Sequence, residues 1–329
     1  MANNHISREQ EARGRQIEAL RRSFGAAVIS FFDDRAVIEI MLNTDGTLWI
    51  ERAGVGMQCV GTLSPVQAMA CIQAAAALVG TVVNEEYPIL ECELPNGGSE
   101  FGGARFEALV PPVVAAPAFA IRKKAELIFT LDDYVARGIM SADAKEFIEN
   151  AVRTRKNILI SGGAGTGKTT LANAVLEAVA RLDPESRIVI IEDVLELQCA
   201  AKNALFLRTS ENVDQTRLLR ATMRLRPDRI VVGEVRDKAA LALLKAWNTG
   251  HPGGLGTVHA NDARAALVRL DQLIQEALVP PAPALIAEAV DVVISIKRVS
   301  GSPGRVIDEI VAINGFDGGD YVLENIYSR

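Results

Sequence analysis

The sequence predicts an α/β protein: a largely parallel sheet with helices between its strands, preceded by a smaller α+β domain. Three observations carry this. From Thr130 onward, the short β-branched runs NILIS, RIVIIE and RIVVGE are separated by helical patterns, the rhythm of parallel strands joined by crossovers. The first of these runs leads through a glycine-rich loop into a helix, GGAGTGKTTLANAVLEAVA. Before Thr130 the rhythm differs: strand-like runs come as hairpin-type pairs, with helical stretches beside them.

The bulk numbers bound the reading. A chain of 329 residues is long enough for two domains with cores of their own, and 49% apolar with 23% charged residues is an ordinary globular balance. A net charge of -6 and an aromatic content of 5% argue against a protein that coats nucleic acid, so direct nucleic-acid binding is not expected. The N-terminus MANNHISREQEARGRQ lacks the apolar core of a signal peptide, and the stretch from Ala68 to Gly80 is too short to span a bilayer. Cys59, Cys71, Cys92 and Cys199 stand far apart with no CxxC pair, a pattern of reduced structural thiols rather than disulfides or zinc ligands. A cytoplasmic protein is expected.

Taken in order, Ile17, Leu20 and Phe24 mark an amphipathic helix from Ser7 to about Val28 that carries Arg13, Arg15, Arg21 and Arg22. AVIEIML, the turn NTDG and TLWIER read as a hairpin. A helix opens at Pro65, with Ser64 as its N-cap. PILECEL and ARFEALV are strands around the loop NGGSEFGG. VPPVVAAPAFA, residues 110–120, is a connecting segment or an edge strand, and the domain boundary falls just after it, near Arg122. The tail reads as an antiparallel pair, DVVISIKRV and VIDEIVAI, joined by SGSPGR.

The glycine-rich loop has the GxxxxGK[ST] spacing of a phosphate-binding loop, in the strand–loop–helix context that this motif requires. Gly163, Ala164, Gly165, Thr166 and Gly167 let backbone N–H groups curl around a phosphate, and the helix that follows points its positive end at the same anion. Lys168 is placed to bridge β- and γ-phosphate oxygens, the Thr169 hydroxyl to ligate Mg²⁺, and Thr170 completes the first turn. ATP and Mg²⁺ are therefore the expected ligands.

Downstream, RIVIIEDVLEL sets Glu192, Asp193 and Glu196 at and beyond a strand's carboxyl end, where ligands of open α/β sheets bind. RPDRIVVGEVRD resembles a Walker B strand, and its Glu234 is suited to hold Mg²⁺ through water or to polarise the attacking water. TGHPGGLGTVHAND reads as a flexible glycine turn, Gly250, Gly253, Gly254 and Gly256, that can bring His251 and His259 toward a γ-phosphate. Arg217, Arg220 and Arg224 recur on one helical face ahead of Arg226 and Arg229. This face suits phosphate or carboxylate pairing across a subunit boundary, or is a solvated basic surface.

Together GGAGTGKTT, IEDVLEL, LRPDRIVVGEVR and TGHPGGLGTVHAND resemble, in this order, the secretion-ATPase superfamily of type II and type IV secretion, pilus dynamics and conjugation. The resemblance reaches into the first domain through ARFEALVPPVVAAPAFAIRK, and the chain is most similar to the conjugal-transfer ATPases of the TrbB type. A pilus-retraction-type motor is the nearest alternative and a nucleic-acid motor a more distant one. The resemblance implies a RecA-like P-loop ATPase domain over 123–329, an N-terminal α+β domain over 1–122, and a hexameric ring with ATP bound between domains at the subunit boundary. It also implies that Arg105 and Arg122 contact the phosphates. Glu192 would match the acidic-box carboxylate, Glu234 the Walker B glutamate and His259 the histidine-box residue, with the choice of general base open between the two glutamates. Implied partners are inner-membrane components of a secretion or conjugation channel, reached from the cytoplasm by peripheral contact. The segment near 110–125 is the expected hinge.

Overall fold

The computed structural model describes residues 2–52, 55–96, 99–124, 128–210 and 212–329, with side chains from Glu11 onward. It divides into two compact units, Met1–Glu126 and Leu127–Arg329, in an α/β fold built on two sheets. Gly97 and Gly98 of the NGGSEFGG loop, Ala125 at the end of the expected hinge, and the His5 side chain lie outside the described residues.

In the first unit, helix α1 (Ala2–Asp33) runs longer than its apolar spacing suggests and is interrupted at Gly25, whose φ of 72° no other residue type adopts readily. Strands β1 (Val37–Leu42) and β2 (Thr47–Arg52) form the hairpin, and β3 (Gly56–Thr62), a partly exposed strand, extends it. Helix α2 (Pro65–Leu78) starts with a capping box in which the Ser64 hydroxyl accepts from Gln67 N and the Gln67 side chain returns to Ser64 N. Strands β4 (Ile89–Glu93), β5 (Arg105–Leu109) and β6 (Ala118–Arg122) complete an antiparallel sheet in the order β3-β2-β1-β6-β5-β4.

Strand β6 corrects two expectations. It lies in the middle of the sheet, paired to β1 on one side and β5 on the other, so it is no edge strand. Residues 118–122 are thereby held by ladders on both sides and cannot serve as a hinge. The core of this unit is a cluster of rings, with the Phe24 centroid 5.9–6.1 Å from those of Phe32, Phe101, Phe106 and Phe119. Leu20 and Phe24 are buried in that core, so this stretch of α1 packs its apolar residues into the unit's own interior. Among the described residues, no helix is long and apolar enough to cross a membrane.

In the second unit, α3 (Leu131–Ala136) and α4 (Ala142–Arg153) lead to β7 (Ile158–Gly162), the phosphate-loop strand, and to α5 (Lys168–Leu182). Then follow β8 (Ile188–Glu192), β9 (Ala204–Arg208), α6 (Gln215–Thr222), β10 (Arg229–Val232), α7 (Ala239–Asn248), β11 (Leu255–His259), α8 (Ala263–Gln275) and α9 (Pro283–Ala289). Strands β12 (Val292–Arg298), β13 (Arg305–Asp317) and β14 (Asp320–Ser328) close the chain. The sheet order is β14-β13-β12-β7-β11-β10-β8-β9, parallel from β12 to β9 and antiparallel from β12 to β14. The expected final pair is thus a three-stranded meander.

Strand residues alternate between two cores. Ile158 and Ile160 pack on one face with α3, α4 and α5, while Leu159 faces the other with α7, α8 and α9. A parallel sheet covered on both faces needs apolar residues at every position, which is why NILIS and RIVIIE read as unbroken apolar runs.

Candidate active site

The phosphate loop leaves the carboxyl end of β7 and is shaped by close packing. A Cβ on Gly162 would lie 2.6 Å from Thr166 Oγ1 and 2.7 Å from Ile296 O, so only glycine fits there. Gly167 is the N-cap of α5 in the left-handed region, at φ 101°, and contributes no side chain. The first turn of α5 therefore has backbone N–H groups without a side-chain cap, aimed out of the sheet's carboxyl end. This donor set and the helix dipole fit a phosphate.

Lys168 is buried and folded onto the loop, its Nζ donating to Gly162 O and Gly163 O at 3.0 Å each. The same Nζ lies 3.2 Å from His259 Nδ1, and His259 Nε2 lies 2.8 Å from Glu234 Oε1. These contacts assign the tautomer: Nε2–H donates to the carboxylate and Nδ1 accepts from the ammonium. Burial lowers the His259 pKa against the pull of Glu234, and the Lys168 charge adds to the lowering, so the ring is held neutral. The second oxygen of Glu234 accepts from Arg236 at 2.6 Å, and Arg236 reaches Asp193 at 3.6 Å. Four motifs far apart in sequence thus form one chain of charges and hydrogen bonds from the phosphate loop to the acidic loop.

Within that acidic loop the carboxylates divide the work. Glu192 is buried, and its Oε1 accepts from the backbone N–H groups of Glu196 and Leu197 at 3.0 and 2.9 Å, which sets the turn after β8. Gly233 makes room for it, since a Cβ there would lie 2.8 Å from Glu192 Cγ. The acidic-loop carboxylate that touches Thr169 is Glu196, whose Oε2 accepts from the hydroxyl at 3.4 Å. Among the described residues, no group of three or more His, Cys, Asp or Glu is gathered to hold a metal. A site of one hydroxyl and one or two carboxylates suits Mg²⁺, which is usually held by few protein ligands together with substrate phosphates.

The histidine stretch departs from its reading as a flexible turn. Residues 255–259 form β11, a central strand beside β7, and His259 is carried at the strand's carboxyl end next to the phosphate loop. Gly250, Gly253 and Gly254 precede the strand's other end and cannot approach the γ-phosphate. Gly253 and Gly254 are glycines for packing reasons: a Cβ would lie 2.3 Å from Arg229 Nη1 at the first and 2.0 Å from Trp247 Nε1 at the second. His251 stays at that end as well, 3.2 Å from Ala246 O through Nδ1.

Some residues escaped the sequence reading. Arg298 donates through Nε to Gly165 O at 2.9 Å, and the Arg305 guanidinium packs on Gly167. Both come from the β12–β13 hairpin, which lies far from the loop in sequence and shows no local signal. Arg236 could have been found, two positions beyond Glu234. In the first unit, Arg105 and Arg122 are direct partners across β5 and β6, in a row that runs Glu93, Arg105, Arg122, Glu39. Arg122 pairs with Glu39 at 3.7 Å.

A strand–loop–helix with an uncapped, glycine-shaped helix start, flanked at the carboxyl ends of parallel strands by Lys, His and Glu, defines a nucleotide-binding P-loop protein. The family model described as "Type II/IV secretion system protein" matches residues 24–302. The chain belongs to that family and is an ATPase of type IV secretion. It is 50% identical over 311 residues to the probable conjugal transfer protein TrbB of Sinorhizobium fredii, with 94% of each chain covered. It is 29% identical to the type IV secretion system protein VirB11 of Bartonella henselae, over 83% of this chain and 88% of that one. The X-ray structure of the Legionella pneumophila ATPase DotB aligns with a TM-score of 0.62 at 19% identity, covering 85% of this chain and 78% of that one, a likeness of fold.

Proposed function

We propose that this chain is the ring-forming cytoplasmic motor of a conjugative type IV secretion apparatus, a hexamer whose ATP-driven domain motion is passed to inner-membrane channel components. The C-terminal RecA-like domain over 123–329 would hold ATP, and the N-terminal domain over 1–122 would close on it with Arg105 and Arg122. The observation that carries the reading is the chain from Lys168 through His259 to Glu234 at the mouth of the phosphate loop.

ATP engages the N–H groups of the loop from Gly163 to Thr170, and Lys168 exchanges the Gly162 and Gly163 carbonyls for β- and γ-phosphate oxygens. That exchange leaves the contact from Lys168 to His259 Nδ1 in place, and His259 Nε2–H still holds Glu234. Glu234, oriented by His259 and Arg236, aligns and polarises the attacking water for in-line displacement, and Glu192 keeps the acidic loop in shape behind it. Mg²⁺, held by the Thr169 hydroxyl and by Glu234 through water, would neutralise charge on the phosphate oxygens. Arg105 and Arg122 repel each other as direct cross-strand neighbours, so an anion that bridges them would gain from both. Loss of the γ-phosphate contacts then releases the N-terminal domain, which is the power stroke.

The test is light scattering coupled to size exclusion, with and without Mg²⁺ and a non-hydrolysable ATP analogue, beside a phosphate-release assay. Nucleotide-driven assembly to a hexamer, with assembly and hydrolysis both lost in Lys168→Ala, is expected. A nucleotide-binding monomer or dimer would overturn the ring.

A further inference from the structure

Helices α6 and α7 flank an open groove of about 950 Å³. Arg217, Arg220 and Arg224 line it from α6 and the turn that follows, and Lys238 and Lys245 line it from α7. All five side chains are exposed, and among the described residues none has a carboxylate within ion-pairing distance. Asp214, the one acid among the described lining residues, is occupied as the N-cap of α6, accepting from Arg217 N at 2.8 Å. Leu241 and Ala242 give the groove an apolar floor, Met223 stands 41% exposed at its side, and the Thr216 hydroxyl is shielded from solvent without a hydrogen-bond partner. Among the described residues no aromatic ring lines it, which disfavours a stacked polynucleotide. The groove is thus shaped for an acidic segment with apolar anchors.

The first unit carries a segment of that kind. Its edge strand β4 and the loop before it expose Glu85, Glu86 and Glu91 together with Val82, Tyr87 and Ile89, the last three 67%, 61% and 54% exposed. Among the described residues those three glutamates have no ion pair. Glu91 also stands directly opposite Glu107 on β5, and burial followed by the Glu91 charge pushes the Glu107 carboxyl above its ordinary value. Like charges face each other here and the outer ladder of β4 is open, as on an edge awaiting a partner.

We propose that the acidic β4 edge of one copy of this chain seats in the α6–α7 groove of a second copy, with Tyr87 and Ile89 on the apolar floor and the glutamates among the five cations. This rests on the ring reading above and deepens it, because a head-to-tail contact of two different surfaces is the kind that closes into a ring.

Charge reversal tests it in the light-scattering assay with nucleotide. The groove variant Arg220→Glu/Arg224→Glu and the edge variant Glu85→Lys/Glu86→Lys change exposed positions only. Each alone should need at least about tenfold more protein to assemble, with nucleotide binding and the circular dichroism spectrum unchanged. An equimolar mixture of the two should regain assembly, since every groove then meets an edge of opposite charge, and misfolded chains could not produce that rescue. Wild-type-like assembly of either variant overturns the proposal. So does rescue by all four reversals in one chain without rescue by mixing, which would place the contact within a single copy. A wild-type chain that never assembles is a different result, and it sinks the ring reading itself.

Discussion

The two ends of the C-terminal sheet use the same side-chain chemistry to opposite effect. At the amino ends of the strands, Arg229 is fully buried and every contact is local and final: Nη2 donates to Asp183 at 2.8 Å and to Val152 O at 3.0 Å, and Nη1 to Gly253 O at 3.1 Å. Arg155 and Ser186 complete the cluster around Asp183. At the carboxyl ends, Lys168, His259, Glu234, Arg236 and Asp193 form an equally connected chain, but His259 and Arg236 are half exposed and the contacts lie at element ends and in the loops beside them. A charge whose partners are all internal staples elements together. A charge whose partners can be exchanged for a ligand's is available for chemistry.

The carboxyl end should therefore respond in rate and the amino end in stability. The largest effect is expected from Glu234→Gln, which keeps the shape but removes the charge. Hydrolysis should fall about 10²–10⁴-fold with little change in the urea midpoint. Equal losses of rate and stability would erase the distinction drawn here.

Arg229→Met comes next. Breaking a buried, hydrogen-bonded pair costs about 3–5 kcal/mol, to be read as a fall in the free energy of unfolding. A stable but inactive variant would move Arg229 to the other side of the comparison. The same pair sets an acid limit. Burial alone would raise the Asp183 pKa, but hydrogen bonds from Ser186 and Arg229 outweigh it and hold the group below its ordinary value. Its contribution is complete above the unfolded value of about 3.9 and is lost as pH falls through the lower folded value. Wild-type should therefore lose more stability across that acid range than Asp183→Asn does.

His259 sharpens the view of the carboxyl end. Its pKa is lowered, so the ring is neutral above its ordinary value of about 6.5 and protonates only below it. An imidazolium cannot accept from Lys168, so hydrolysis should fall on the acid side of that value. His259→Asn should be slower at neutral pH and should lack that limb; an unchanged limb would assign it to another group. The smallest effect belongs to Arg298→Ala. Removing one guanidinium from the Gly165 carbonyl should weaken nucleotide binding about two- to tenfold by fluorescence titration, with kcat nearly unchanged.

Much of this was legible along the chain because the signals are local. Strand–helix alternation, the phosphate loop and the Ser64 cap are each encoded within a dozen residues. What stayed hidden depended on neighbours distant in sequence. Strand β11 was disguised by Gly254 and Gly256, and Gly254 stays small for Trp247, a requirement no local pattern states. Strand β6 looked like a linker because Pro111, Pro112 and Pro117 crowd its start, although its five residues pair on both sides. Strands β3 and β9 were missed because their burial is partial and their alternation weak.

By itself, the sequence determined which chemistry is present: a helix start that binds phosphate, one lysine, paired carboxylates and a histidine, each set by residue type and short spacing. Only the tertiary structure decided which of them meet. It gave Glu192 to two backbone amides, Glu196 to Thr169, and His259 to Lys168 and Glu234 together. It also separated His251 from His259 by the length of a strand. The physical reason is that a parallel sheet gathers the ends of strands far apart in sequence, and the order in which those strands pair is set by burial on two faces, which no window of sequence contains.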